Sequence, residues 1–229
     1  SEGIDGPLSS GDTGYAKLPP PQDVLISSGG YGSTQSLVDI SWYSRYEGIY
    51  PYFVFLAEDG FIVYRSSSST GPWTNISGIL DSYARDNYDY FSEEFGRLHY
   101  YDTSASPGEW FYYRLRATTT TGGRLSDPTE VLQAYRPLPP PENIYATNDD
   151  PDKIVITWDA VDRADRYKIA RTRSYTMDYI VLGETTDLTY TDTSAVTGEV
   201  YSYWITPIQE LEPAHEGETG FFNGAERAQ

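Results

Sequence analysis

The chain of 229 residues has no cysteine, one methionine and two histidines. Without cysteine there is no disulfide, no thiol nucleophile and no thiolate metal site. The histidines, His99 and His215, fall in different halves of the chain at unmatched positions, and no Gly-x-Ser-x-Gly turn accompanies them. A Ser-His-Asp hydrolase therefore has no sequence support, and both read as structural residues. Gly29-Gly30-Tyr31-Gly32 lacks the Lys-Ser/Thr pair of a phosphate-binding loop and precedes a strand pattern. The apolar run at 53–57 is far shorter than the ~20 residues of a membrane helix. Positive charge is also scarce, with 16 Lys and Arg against 34 Asp and Glu, a net charge of −18. That balance repels nucleic acid and anionic membranes and favours basic or cation-mediated partners. Aromatics supply the missing apolar area: 22 Tyr, 8 Phe and 5 Trp. Tyrosine suits strands and can bury its ring while its hydroxyl stays wet.

What the chain does have is a duplication. Pro19-Pro20-Pro21-Gln22-Asp23-Val24 returns as Pro139-Pro140-Pro141-Glu142-Asn143-Ile144. Val38-Asp39-Ile40-Ser41-Trp42 returns as Val155-Ile156-Thr157-Trp158. Tyr101-Asp102-Thr103-Ser104-Ala105 with Gly108-Glu109 returns as Tyr190-Thr191-Asp192-Thr193-Ser194-Ala195 with Gly198-Glu199. Three blocks in the same order imply two copies of one module. The tryptophans lie 158 − 42 = 116 positions apart and the aspartates 192 − 102 = 90, so the first copy carries 116 − 90 = 26 extra residues. They fall near 46–59 and 81–97.

Each copy shows strand periodicity. Val38, Ile40 and Trp42 alternate with polar residues, as do Ile154, Ile156 and Trp158; Phe111, Tyr113 and Leu115 are matched by Tyr201, Tyr203 and Ile205. Short strands at this spacing, with no long helical pattern, predict an all-β fold of two tandem sandwiches. The expected divisions are a flexible tether at 1–18, a first module at 19–137 and a second at 138–229, joined by a stiff proline-rich linker.

The Pro-x-x-[Asn/Asp]-hydrophobic start, the hydrophobic-x-Trp strand, the Tyr-x-hydrophobic-x-Arg strand of the second copy and the Gly-x-x-[Tyr/Phe] opening of a later strand resemble the fibronectin type III domain, from about Pro19 to Gln229. The second copy resembles bacterial versions most closely. The resemblance implies that Trp42 and Trp158 lie between the sheets. It also implies a tyrosine corner at Tyr201, where the first copy has Phe111 and no hydroxyl. No Arg-Gly-Asp is present, so that adhesive tripeptide does not carry over.

The strongest site signal is aromatic. If Phe111, Tyr113 and Leu115 face the core, Trp110, Tyr112 and Arg114 face outward, and Tyr64 does likewise on a neighbouring strand. The insertions add Tyr52, Tyr88 and Tyr90. These six aromatics are the candidate binding residues; loops on a rigid scaffold are common binding sites. Carboxylates at Asp86, Asp89, Glu93 and Glu94, and at Asp149, Asp150 and Asp152, do not match an EF-hand loop, and the second group reads as turn chemistry. No catalytic residue, metal or cofactor is expected. The expectation is a non-catalytic, exported protein of the cell surface, bacterial in type, that binds or spaces. It would be extracellular, periplasmic or outer-membrane-anchored, the last through a lipid anchor outside this sequence. Its partner would be a protein or a carbohydrate, and the alternative role is a carbohydrate-binding accessory module.

Overall fold

The computed structural model describes residues 18–29, 36–43, 46–47, 54–55, 60–81, 97–119, 123–173, 178–211 and 213–226. The first module pairs β1 (Gln22–Ser28), β2 (Val38–Tyr43) and β8 (Arg97–Asp102) in one antiparallel sheet. Facing it is a sheet in the order β10 (Leu132–Arg136), β9 (Glu109–Thr118), β5 (Gly60–Ser66) and β6 (Thr74–Asn75), with β7 (Leu80–Asp81) pairing further along β5. The second module repeats the plan. One sheet is β11 (Tyr145–Ala146), β12 (Ile154–Thr157) and β15 (Thr189–Asp192). The other is β14 (Tyr179–Thr185), β13 (Arg166–Arg173) and β16 (Val200–Gln209), with β17 (His215–Glu216) and β18 (Gly220–Glu226) both on β16. A ribbon of β3 (Tyr46–Glu47) and β4 (Val54–Phe55) lies within the first insertion.

The period of two in the sequence becomes the two faces of each strand. On β9, Phe111, Tyr113, Leu115 and Ala117 are buried and the residues between them are more open. Trp42 and Trp158 are both buried, and each meets a ring edge-on: Phe61 at 5.5 Å and Tyr167 at 5.4 Å between centroids. Neither indole N–H has a polar partner among the described residues. An aromatic neighbour in the same place in both copies rationalises that shared feature.

The repeat begins one residue earlier than the prolines. Leu18 is 3% exposed and Leu138 is 0% exposed. Leu18, assigned to the tether by its polar surroundings, is thus packed, and Leu138 belongs to the core of the second module. Asp23 and Asn143 take matched positive φ angles of 48° and 49°. Only Asp and Asn tolerate that region readily among residues with a Cβ, which accounts for the Asp/Asn alternative in the shared motif. The resemblance's tyrosine corner is present: the Val196 N–H donates to the Tyr201 hydroxyl at 3.0 Å.

Candidate binding face and the junction between the modules

The outer side of the first module's larger sheet is built from alternate residues of β9 and β5 and is partly buried at Tyr64, Tyr112 and Arg114. Register places Tyr64 opposite Arg114, and Tyr112 opposite Ser66 on one side and Gln133 on the other. Arg114 organises this face. Its guanidinium lies 4.3 Å from the centroid of Trp73 and 5.8 Å from that of Tyr64. Burial, then the nearby Arg116, lowers the Arg114 pKa. Among the described residues no carboxylate pairs with Arg114 or Arg116, so cationic and aromatic groups sit together on an acidic protein. A guanidinium set against indole and phenol rings makes a preorganised cationic–aromatic cluster, in which Arg114 Nε is buried with no partner among the described residues. Ile62, two residues before Tyr64 on β5, is buried; alternation would have placed it outward, but the structure covers it.

Trp110 lies at the other end of this face. It is 43% exposed and contacts Tyr135 at 5.6 Å and His215 at 5.4 Å. Tyr135, opposite Trp110 in the ladder, is buried because the second module covers it. His215 stacks on Tyr135 at 4.4 Å with an interplanar angle of 22°, and the Tyr135 hydroxyl donates to Gln209 Oε1 at 2.6 Å. Arg163 of the second module pairs with Glu109 at 2.5 Å. The Glu218 N–H donates to the Leu138 carbonyl at 2.8 Å, and burial raises the pKa of the Glu218 carboxyl. Gly108 sits in the middle at φ +76°; a Cβ there would come within 2.9 Å of Gln209 Oε1 and 3.0 Å of Leu138 Cδ2. The linker is therefore docked as well as stiff.

One network of buried titratable groups is built twice. In the first module Asp102 accepts from Arg65 Nη1 at 2.8 Å, from the Tyr113 hydroxyl at 3.0 Å and from the Ser104 N–H and hydroxyl at 2.9 and 2.8 Å. In the second, Asp192 accepts from Arg171 at 2.5 Å, Tyr203 at 2.8 Å and Ser194 N–H and hydroxyl at 2.8 and 2.7 Å. Burial pushes both carboxyls up, but the hydrogen bonds from Arg65 and Ser104, and from Ser194 and Tyr203, outweigh it and hold both below the ordinary value. Burial, and then the neighbouring aspartate, raises both tyrosines. Duplication at equivalent places marks these groups as scaffold.

Of the six candidate residues, the structure brings Tyr64 and Tyr112 to one face, with Trp110 at its margin against the second module. Tyr52, Tyr88 and Tyr90, like Asp86, Asp89, Glu93 and Glu94, lie outside the described residues. Asp150 caps a turn through the Asp152 N–H at 2.8 Å, as its turn reading implies. His99 bonds Asp39 at 3.0 Å on β8. Sequence reasoning missed Trp73, whose Gly-Pro neighbours read as a turn and whose place over Arg114 depends on the fold of that hairpin.

No protein-family model and no curated protein sequence matches the chain. Among solved structures, a two-domain fibronectin type III segment from chicken tenascin aligns at 14% identity and a TM-score of 0.43, covering 89% of this chain and 99% of that one. The FN1–FN3 domains of chicken CNTN1 align at 13% identity and 0.37, covering 92% and 69%. The chain is all-β, with two sandwich modules in tandem, each with its own core.

Proposed function

We propose that this is a non-catalytic, exported cell-surface protein in which the first module binds a partner and the docked second module sets its spacing. The observation behind this reading is the gathering of Tyr64, Tyr112, Trp73 and Arg114 on one sheet face. A sheet face that gathers aromatic rings and a guanidinium fits a protein surface carrying carboxylate or hydroxyl groups. The tight junction supports spacing, because a module held by a stacked histidine, an ion pair and a buried linker side chain presents that face in a fixed direction. The test is binding of the full chain to arrayed extracellular proteins and glycans, followed by Arg114→Ala with Tyr112→Ala. The expected result is a protein ligand whose affinity falls at least about tenfold in the double variant. Unchanged affinity refutes the face. A glycan as the sole ligand favours the accessory-module role, and substrate turnover refutes the non-catalytic reading.

A further inference from the structure

The second module carries a different surface on the equivalent face of its larger sheet. Cross-strand register lines up Val181, Ala170, Trp204 and Phe221 as one row across four strands. Trp204 and Phe221 pack at 4.3 Å between centroids, and the indole N–H donates to Thr172 Oγ1 at 3.2 Å, which fixes the ring in place. The ends of the row stay open: Val181 is 53% exposed and Phe221 48%. Tyr179, in the adjoining row with Thr172 and Ser202, is exposed too. At the Phe221 end the row meets an open pocket of about 300 Å³ walled by Pro140, Pro141, Ile144 and Thr219. Gly220 makes that close approach of chain to linker feasible, since a Cβ there would come within 2.5 Å of Ile144 Cδ1 and 2.8 Å of the Pro141 carbonyl.

Charge selects the occupant. Residues 138–229 contain 7 Lys and Arg against 17 Asp and Glu, a balance of 7 − 17 = −10. The six basic residues from Lys153 to Arg173 are each already paired with a carboxylate: with Asp150, Glu109, Glu184, Glu216, Asp192 and Glu199 in turn. The rim of the row carries Asp178 next to Tyr179; Glu184 and Glu216, near Lys168, are already paired with Arg166 and Lys168, so the charge left for a partner is that of Asp178 and of the module's net −10. A second copy docking through this same face brings the same acidic surface and is repelled. A partner with an apolar side chain for the pocket and cations for the rim is attracted.

We propose that the Val181–Ala170–Trp204–Phe221 row and its proline-walled pocket form a second docking surface, for a basic protein segment that inserts an aromatic or aliphatic side chain beside Phe221. It is independent of the face on the first module. The probe is a capped heptapeptide with phenylalanine at its centre and lysines at both ends, titrated into the ¹⁵N-labelled full chain. Shift changes should centre on Val181, Trp204, Gly220 and Phe221. A peptide with glutamates in place of the lysines, or alanine in place of phenylalanine, should bind at least about tenfold more weakly. Phe221→Ser with Val181→Ser should remove those shifts while the remaining spectrum stays folded. If that double variant unfolds, Val181→Lys alone serves, since the side chain is half in solvent and the added cation should weaken the lysine peptide. The proposal is overturned by no binding of the lysine peptide up to millimolar concentration, equal binding of the glutamate peptide, shifts elsewhere in the chain, or a dimer in solution that Phe221→Ser dissolves. Shifts at these residues with a neutral oligosaccharide and none with the peptide overturn it as well.

Discussion

Changing Asp102 or Asp192 to Asn tests the duplicated network directly. Asn keeps the side-chain volume, so no cavity contributes. It removes the negative charge from a carboxylate whose side chain is 0% exposed at Asp102 and 2% at Asp192, and leaves Arg65 or Arg171 partly buried without its partner. Breaking a buried pair from one side costs about 3–5 kcal/mol. The bonds from Ser104 and Tyr113, or from Ser194 and Tyr203, weaken together with the ion pair and are not additive with it. Against a domain stability of about 5–15 kcal/mol, either variant should melt its own module well before the other. Urea unfolding followed by amide NMR resolves the modules: Asp102→Asn should shift the transition of β2, β5 and β9, and Asp192→Asn that of β12, β13 and β16. The pH dependence has a fixed sign. Both carboxyls titrate lower in the folded than in the unfolded chain. Their contribution is therefore complete above the unfolded value of about 4 and is lost as pH falls through the folded value. Wild type should lose stability steeply below about pH 4, and the double variant should lose less. The matched tyrosines titrate higher when folded, so their contribution holds below about pH 10 and fades above it. A cost under about 1 kcal/mol for either aspartate, or an unchanged acid slope, refutes the reasoning.

Two further outcomes follow from packing. Trp42→Ala and Trp158→Ala should each cost about 3–5 kcal/mol in denaturant unfolding, since both rings fill the space between sheets. Gly108→Ala should loosen the junction, because a Cβ there meets Gln209, Leu138 and Arg163 at a positive φ; small-angle scattering should show a broader range of module separations, with both modules still folded.

The framework was legible because its signals are local. The period of two, the paired tryptophans and the proline starts each depend on a few adjacent residues, and they led to strands, cores and turns where the structure has them. The limits of that reading show at Tyr101. The repeat set it against Tyr190, yet it is Tyr100 whose hydroxyl bonds a neighbouring carbonyl, that of Ile76, as Tyr190 bonds that of Leu182; Tyr101 is exposed. One residue of offset turns a side chain to the opposite face, and similarity of letters does not register that. The Asp–Arg–Tyr network joins residues from opposite sheets, 37 positions apart for Arg65 and Asp102, so the matched motifs contained its members without their connection. His215 lies in Glu- and Gly-rich surroundings, and nothing in them encodes how one module sits against the next.

The division of core residues has a consequence for the order of events at synthesis. Among the described residues, the hydrophobic cluster of the first module contains none beyond Ala134, and that of the second starts at Leu138. The first sandwich can thus close while most of the second is still being made. It then offers Trp110 and Tyr135 as a finished template. Gln209 and His215, which seal the junction, follow nearly all of the core strands of the second module, so the fixed angle between the modules is set only once that module is made, on a surface already in place.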